Sequence, residues 1–451
     1  MYIIVVGQGK LGATVTKQLA NEGHDIVVVD TKNDVVSKIV DTYDVMGICG
    51  NGATVDILEE AGAKKAKLIV ACTPSDEINI LCCMFAKKLG TENAIARVRN
   101  PGYASQSQFL REKIGINMIV NPEFEMANEI SRIIRFPSAV SLDSFVRGKV
   151  ETAGVVIKEG NPVCGMQISE IRKKIKAKVL ICAVQRGEKV FIPSGDFTIE
   201  ANDSVYITGI RAELSAFLRQ TGIHTQKIKN VMIIGGGRIG YYLADLLSDT
   251  GRNVTIIDSN EQRCIELNDM LEDATIIHGD GTDQDVLEEQ GIDSQDSLVA
   301  LTGIDEENII VSMYARSKNV KKVITKIDRH SYSILNEIGL DTKVSPQLVA
   351  GSLVTRYVRA LQNSADNSKI LTLYKLIGGK VEAVEFRVPE NAGYENIPFK
   401  DLKLLPNILI CCLIRNGKII FPDGSDVMKS GDNVIVVTTG RILEDLHDIF
   451  I

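Results

Sequence analysis

Short apolar runs, each ending at glycine or a polar turn and followed by a stretch with apolar residues at helical spacing, recur along the first quarter of the chain. Ile3–Val6, Ile26–Val29, Leu68–Cys72 and Ala94–Val98 are such runs. Strands apolar on both faces belong inside a parallel sheet covered by helices on each side. The pattern predicts an α/β fold with a doubly wound, Rossmann-like sheet. It returns at Val231–Ile234, Val254–Ile257, Leu298–Leu301 and Val323–Ile327.

Between and after these regions the pattern changes. Val179–Ala183, Lys189–Ile192 and Val205–Thr208, and again Leu409–Leu413, Lys418–Phe421 and Val434–Val437, are short strands set between Gly, Pro, Asn and Asp turns, as in a small α+β subdomain. Helical spacing at Met126, Ile130, Ile133 and Ile134 predicts a bridging helix over Glu123–Phe136, with a counterpart over Leu348–Leu361. Packing and subunit contact are both open roles for it.

The second half repeats the first at a near-constant offset. Val-Gly-Gln-Gly-Lys-Leu-Gly at 6–12 answers to Ile-Gly-Gly-Gly-Arg-Ile-Gly at 234–240, Asp30 to Asp258, and Gly50-Asn51-Gly52 to Gly279-Asp280-Gly281. The stretch from Ala71 to Asn79 answers to that from Ala300 to Asn308, and Pro193 and Asp203 answer to Pro422 and Asp432. A tandem duplication accounts for all of these matches. The expected organisation is a nucleotide-binding domain over 1–122, a bridging helix over 123–140 and a small subdomain over 141–224, then the same three parts over 228–346, 347–366 and 367–451.

Composition adds mainly exclusions. The 451 residues are 45% hydrophobic and 24% charged, as in ordinary globular proteins. The net charge of -7 gives no global attraction to nucleic acid. The basic run at Arg172, Lys173, Lys174 and Lys176 reads as a solvated helix face. Nine cysteines, an odd number with adjacent pairs at Cys82-Cys83 and Cys411-Cys412, suit reduced buried thiols better than a disulfide framework. Five scattered histidines offer no zinc spacing. The N-terminal apolar run reads as a strand rather than a signal peptide, and no stretch reaches the roughly 18 apolar residues of a membrane span. Any action at a membrane is expected to go through a partner.

Gly7, Gly9 and Gly12 follow a strand and open a helix, and Asp30 ends the next strand. This is the dinucleotide-binding arrangement: one glycine for the tight turn, one for backbone approach to a pyrophosphate, one for close packing of helix on strand. The Asp30 carboxylate would accept hydrogen bonds from an adenosine ribose and repel a 2′-phosphate, favouring NAD or ATP/ADP over NADP. Gly235, Gly237, Gly240 and Asp258 meet the same test. Asn51-Gly52, Thr73-Pro74, Asp280-Gly281 and Thr302-Gly303 follow strands at the sheet edge where ligands bind. Turn formation and helix capping are the alternative roles for these pairs. Arg97 and Arg99 suit phosphates, but their counterparts are Lys326 and Asp328, so the second site is poorer in positive charge. Neither half carries a nucleophile beside a base, a paired histidine and carboxylate, or a P-loop, so a sensor is expected rather than an enzyme. An NAD-dependent oxidoreductase stays open at this point.

The glycine motif with Asp30, the stretch from Ala71 to Asn79 and Ile95-Ala96-Arg97-Val98-Arg99 resemble the N-terminal half of an RCK (regulator of potassium conductance) domain, and the small subdomains resemble its C-terminal half. Two complete units in one chain without a membrane segment resemble the peripheral regulatory subunits of Trk-type potassium uptake systems. The resemblance implies cytoplasmic rings, typically homotetramers, beneath an integral-membrane potassium-translocating subunit of the TrkH/TrkG type, and binding of NAD(H) and ATP or ADP. It implies a first site at Gly7, Gln8, Gly9, Lys10, Leu11, Asp30, Asn51, Gly52, Thr73, Pro74 and Arg97. The second would use Gly235, Gly236, Gly237, Arg238, Ile239, Asp258, Asp280, Gly281, Thr302 and Gly303. A regulator of another cation channel or antiporter would use the same domains.

Overall fold

The computed structural model describes the chain except for residues 105, 137–138, 146–148, 224–227, 329–339, 341, 366–369, 378–379, 391, 442 and 444. Residues 137–138 of the first expected bridging segment and 366 of the second lie outside the described residues, and 139–140, expected within the first, begin a strand instead.

The first apolar runs form a six-stranded parallel sheet from β1 (Tyr2–Val6), β2 (Asp25–Asp30), β3 (Met46–Cys49), β4 (Leu68–Ala71), β5 (Asn93–Arg97) and β6 (Met118–Val120), in the order β3-β2-β1-β4-β5-β6. The central strands β1 and β4 are buried along almost their whole length. Each of their fully covered Ile, Val or Leu side chains stabilises the fold by about 1.5–3 kcal/mol. The connecting helices carry their own stop and start signals. Helix Asp76–Leu89 begins where Ser75 accepts a hydrogen bond from the Ile78 N–H, and it ends at Gly90 in a left-handed conformation.

A small antiparallel sheet follows: β7 (Ala139–Phe145), β8 (Val150–Val156), β9 (Val179–Arg186), β10 (Lys189–Phe191) and β11 (Ser204–Gly209), ordered β10-β9-β11-β8-β7. The duplication then reproduces both sheets. β12 (Asn230–Ile234), β13 (Asn253–Asp258), β14 (Ala274–His278), β15 (Ser297–Ala300), β16 (Lys322–Lys326) and β17 (Lys343–Val344) take the order β14-β13-β12-β15-β16-β17. β18 (Ile370–Leu376), β19 (Val381–Arg387), β20 (Ile408–Arg415), β21 (Lys418–Ile420) and β22 (Asn433–Thr438) form the second antiparallel sheet, β18-β19-β22-β20-β21. The fold is thus the expected tandem of doubly wound domains, each followed by a small α+β subdomain.

The edge strands β3 and β14 escape the apolar-run criterion because they are half exposed, and β6 and β17 because they are only three and two residues long.

Contacts group the chain differently from the repeat. Met1–Arg135 and Lys227–Thr355, the two Rossmann-like domains, form one compact unit, and Phe136–Gln226 with Arg356–Ile451 form the other. In the first unit the helices are exchanged. Met126, Ala127, Ile130 and Ile134 of helix Pro122–Arg135 share a core with Ile239, Leu243, Ala244 and Leu247 of the second glycine-loop helix, Arg238–Ser248. Reciprocally, helix Pro346–Ala365 meets the first glycine-loop helix, Lys10–Ala20: Thr355 Oγ1 donates to Gln18 Oε1 at 3.0 Å, and a methyl on Gly351 would come within 2.7 Å of that oxygen.

In the second unit the two small sheets share a core that includes Cys182, Ala183 and Tyr206 with Val381, Cys411, Cys412 and Ile435. Each sheet contains a bidentate ion pair, Arg186 on Asp203 at 2.7 and 2.8 Å and Arg415 on Asp432 at 2.8 and 2.6 Å, with both carboxylates buried. All nine cysteines are free thiols; seven are buried as expected, whereas Cys164 is half-buried and Cys49 is exposed at the end of β3. Among the described residues no helix is long and apolar enough to cross a membrane.

Candidate functional site

The two glycine loops leave β1 and β12 at the carboxyl edges of their sheets. Gly7 and Gly235 have φ of +85° and +101°, and a methyl on either would press to 2.8 or 2.9 Å on backbone of the neighbouring strand's loop. Gly12 and Gly240 lie under the same loops, where a methyl would come within 1.8 Å of Gly7 O and 2.3 Å of Gly235 O. These four glycines are required by the fold itself. Gly9 and Gly237 are different: their φ lies outside the left-handed region and a methyl would meet nothing within 4 Å. Among the described residues nothing occupies the space beside them. They are also the N-caps of the two glycine-loop helices and carry no side chain to accept from the first-turn N–H groups. Open space beside uncapped N–H groups at the positive end of a helix fits an approaching phosphate.

Asp30 and Asp258 stand at the ends of β2 and β13, facing these loops. Asp30 accepts from the Gln8 N–H at 2.7 Å and the Lys32 N–H at 3.0 Å, and Asp258 accepts from the Gly236 N–H at 2.6 Å and the Asn260 N–H at 2.9 Å. A carboxylate oxygen has two acceptor positions, so one N–H on each leaves capacity for ribose hydroxyls. The Gln8 side chain turns inward, donating to Val5 O and accepting from Thr16, so Gln8 offers a ligand its main chain only. Leu11 and Ile239 are buried in the packing beneath the loops.

The loops after β4 and β15 are fixed by residues that motif reading passed over. Asn79 accepts from the Thr73 N–H at 2.7 Å and donates to Thr73 O and Arg97 O, tying the ends of β4 and β5 together. Asn308 does the same for Thr302 and Lys326. Both asparagines are fully buried, and the signal that could have found them was their recurrence in both halves of the repeat. Asp76 and Asp305 similarly hold the loops after β5 and β16 by accepting from the Arg99 and Asp328 N–H groups.

Asn51 and Asp280 close local turns, accepting from the Ala53 N–H and from Thr282 respectively. The N–H and hydroxyl of Thr282 hold the Asp280 carboxyl below its ordinary range. Gly52 and Gly281 are demanded by contact with Val6 and Ile234. The turn-forming role weighed for these pairs is therefore the one the geometry displays, and it sets them on the rim of the site. Pro74 O accepts from Arg99, while Gly303 stands exposed with open space beside it.

The cations differ between the halves. The Arg97 guanidinium lies 3.5 Å from Glu123, and burial lowers its pKa while Glu123 opposes the shift. Its Nε, like that of Arg99, is buried with no hydrogen bond among the described residues. In the second half, Lys326 Nζ donates to Thr302 O at 3.2 Å and lies 3.4 Å from Asp328 Oδ2. That same oxygen accepts from Lys10 Nζ of the first glycine loop at 2.7 Å. Arg238, the counterpart of Lys10, is exposed.

With this geometry established, similarity to known proteins decides the family. The TrkA-N domain model matches residues 3–122 and 231–346, and the TrkA-C domain model matches 153–222 and 383–451. The chain belongs to the TrkA family. The Trk system potassium uptake protein TrkA homolog 1 of Methanosarcina mazei is 31% identical over the full length of both chains. Among solved structures, the GsuK channel bound to NAD superposes with a TM-score of 0.63 at 19% identity, covering 97% of this chain and 77% of that one. GsuK bound to ADP gives 0.51 at 17% identity, over 79% and 69%. These likenesses carry the fold, and membership of the family places the chain among potassium-transport regulators.

Proposed function

We propose that this chain is the nucleotide-binding regulatory subunit of a Trk-type potassium uptake system. It acts on the cytoplasmic side of an integral-membrane potassium-translocating subunit of the TrkH/TrkG type, and it binds NAD(H) or ATP/ADP in its two Rossmann-like domains. The observation that carries the reading is the pair of glycines, Gly9 and Gly237, kept bare where the fold has no use for it, beside uncapped helix N-termini and facing Asp30 and Asp258. Adenine nucleotides in GsuK, NAD in one structure and ADP in another, support the ligand class.

Self-assembly into a homotetrameric ring is supported by an apolar face on helix Asp305–Ser317, where Ile310 and Met313 are 62% and 45% exposed with Ile304 beside them at 50%, and by Leu81 at the position corresponding to Ile310. In such a ring, a nucleotide shifts ion flux only if it binds one arrangement of the ring more tightly than the other.

Rubidium uptake at limiting potassium tests this in a strain lacking the protein, complemented with wild type or with the Asp30→Ala, Asp258→Ala double variant. Uptake lost on deletion, restored by wild type and altered in the variant is the expected result. Uptake unchanged on deletion, with no second copy of the gene to compensate, would overturn the transport reading.

A further inference from the structure

The repeat carries Arg99 to Asp328, the sharpest charge reversal between the two candidate sites. Asp328 Oδ2 takes Lys10 Nζ at 2.7 Å, and Lys326 Nζ lies 3.4 Å from the same atom. The side chain is 10% exposed, and its second oxygen is buried with no hydrogen-bond partner among the described residues. One carboxylate thus sits at the edge of the second site between two ammonium groups, one from each Rossmann-like domain.

The exchanged helices repeat this arrangement on the other side of the unit with different residues, Arg238 for Lys10 and Arg99 for Asp328. The two segments do meet: Tyr242, one turn along the helix from Arg238, donates to Arg99 O at 3.3 Å. Where the second site has Lys10 on Asp328, the corresponding positions of the first are both arginines, Arg238 and Arg99. Among the described residues Arg238 has no ion-pair partner, and Arg99 has only Asp76, at 3.8 Å. One side thus carries two cations at these positions, and the other carries a cation with an anion already built in.

We propose that Asp328 is a covalently attached stand-in for the terminal phosphate of a nucleotide. Lys10 thereby holds the second site closed against a polyphosphate end, and only the first site, with Arg97, Arg99 and Arg238, responds to one. A nucleoside triphosphate brought to the second site would set its terminal phosphate against the Asp328 carboxylate and compete with it for Lys10. The second site therefore takes ligands with less charge at that end, such as a nucleoside monophosphate. This inference rests on the nucleotide-binding reading given above.

Calorimetric titration of the full chain with ATP and with AMP tests it. The expected result for wild type is one ATP but two AMP per chain. Asp328→Arg, which installs the first half's residue, raises the ATP count to two. If that variant fails to fold, Asp328→Asn removes only the charge, and it should strengthen ATP binding at the second site at least about tenfold. Two equivalent ATP sites in wild type, AMP binding without ATP binding, or an ATP profile unmoved by both substitutions would overturn the proposal for Asp328 alone. Absence of binding by either nucleotide would overturn the nucleotide-binding reading as well.

Discussion

The two Rossmann-like domains share a backbone device and differ in what supports it. In both, an aspartate at the end of the second strand accepts the N–H of the residue after the first loop glycine. In both, a buried asparagine ties the next two strand ends. That residue after the glycine, however, is Gln8 in one half, its side chain packed inward on Thr16 and Val5. In the other it is Gly236, where a methyl would press to 2.4 Å on Leu267 and where Arg263 donates to the carbonyl. Main-chain geometry was kept while its side-chain scaffolding was exchanged. The charge at the far end of the site diverged completely, from Arg99 to Asp328. The comparison teaches that the part of the site facing a ribose and the first phosphates is held in common, and that specificity is free to separate only beyond it.

The largest effect that sharpens this comparison is on stability. Gly12→Ala drives a methyl to 1.8 Å of Gly7 O and Gly240→Ala to 2.3 Å of Gly235 O. Backbone on both sides cannot step aside as a side chain could. Each is expected to cost about 3 kcal/mol, with Gly12→Ala the more severe, read as lowered melting temperature of the full chain. Equal melting of both variants and wild type would break the argument that these loops are close-packed.

Next in size is a pair of variants that spare stability. Gly9→Ala and Gly237→Ala place a methyl in open space and leave melting unchanged. They weaken nucleotide binding about tenfold or more, because backbone N–H groups can no longer be approached closely and hydrogen bonds to a charged group are worth roughly 1.5–3 kcal/mol each. Undiminished affinity for NADH and AMP in the double variant would mean that these glycines serve only the turn.

Much of this was legible in the sequence for physical reasons. Strands buried on both faces must be apolar throughout, so β1, β4, β12 and β15 announce themselves. Edge strands β3 and β14 face solvent on one side and do not. The glycine loops were legible because steric demands at Gly7 and Gly12 admit no other residue, and duplication displayed the demand twice. The roles of Asn51 and Asp280 were open between ligand and turn, because the same side chains serve both and only coordinates separate them. What no spacing encodes is the exchange of helices between halves. It brings Lys10 to a residue more than 300 positions away, and the charge difference between Arg99 and Asp328, visible in sequence, acquires a partner only through it.

The smallest effect probes that partnership directly. Burial raises the Asp328 carboxyl pKa, but the hydrogen bond from Lys10 and the charges of Lys326 and Lys10 outweigh it, leaving the group below its ordinary 3.8. A carboxyl lowered in the folded state stabilises the protein above its unfolded pKa, and that contribution is lost as pH falls through the folded value. With Lys10 69% exposed, the pair contributes only about 0.5–1 kcal/mol. Asp328→Asn and Lys10→Met are therefore expected to lower the melting temperature slightly and alike at neutral pH, and their difference from wild type should close below about pH 4. Arg238→Met, at the mirror position, removes a cation without an ion-pair partner among the described residues, and it should leave melting unchanged or raise it. If Arg238→Met instead destabilises as much as Lys10→Met, the two sides of the unit are electrostatically alike, and the asymmetry argued from Asp328 fails.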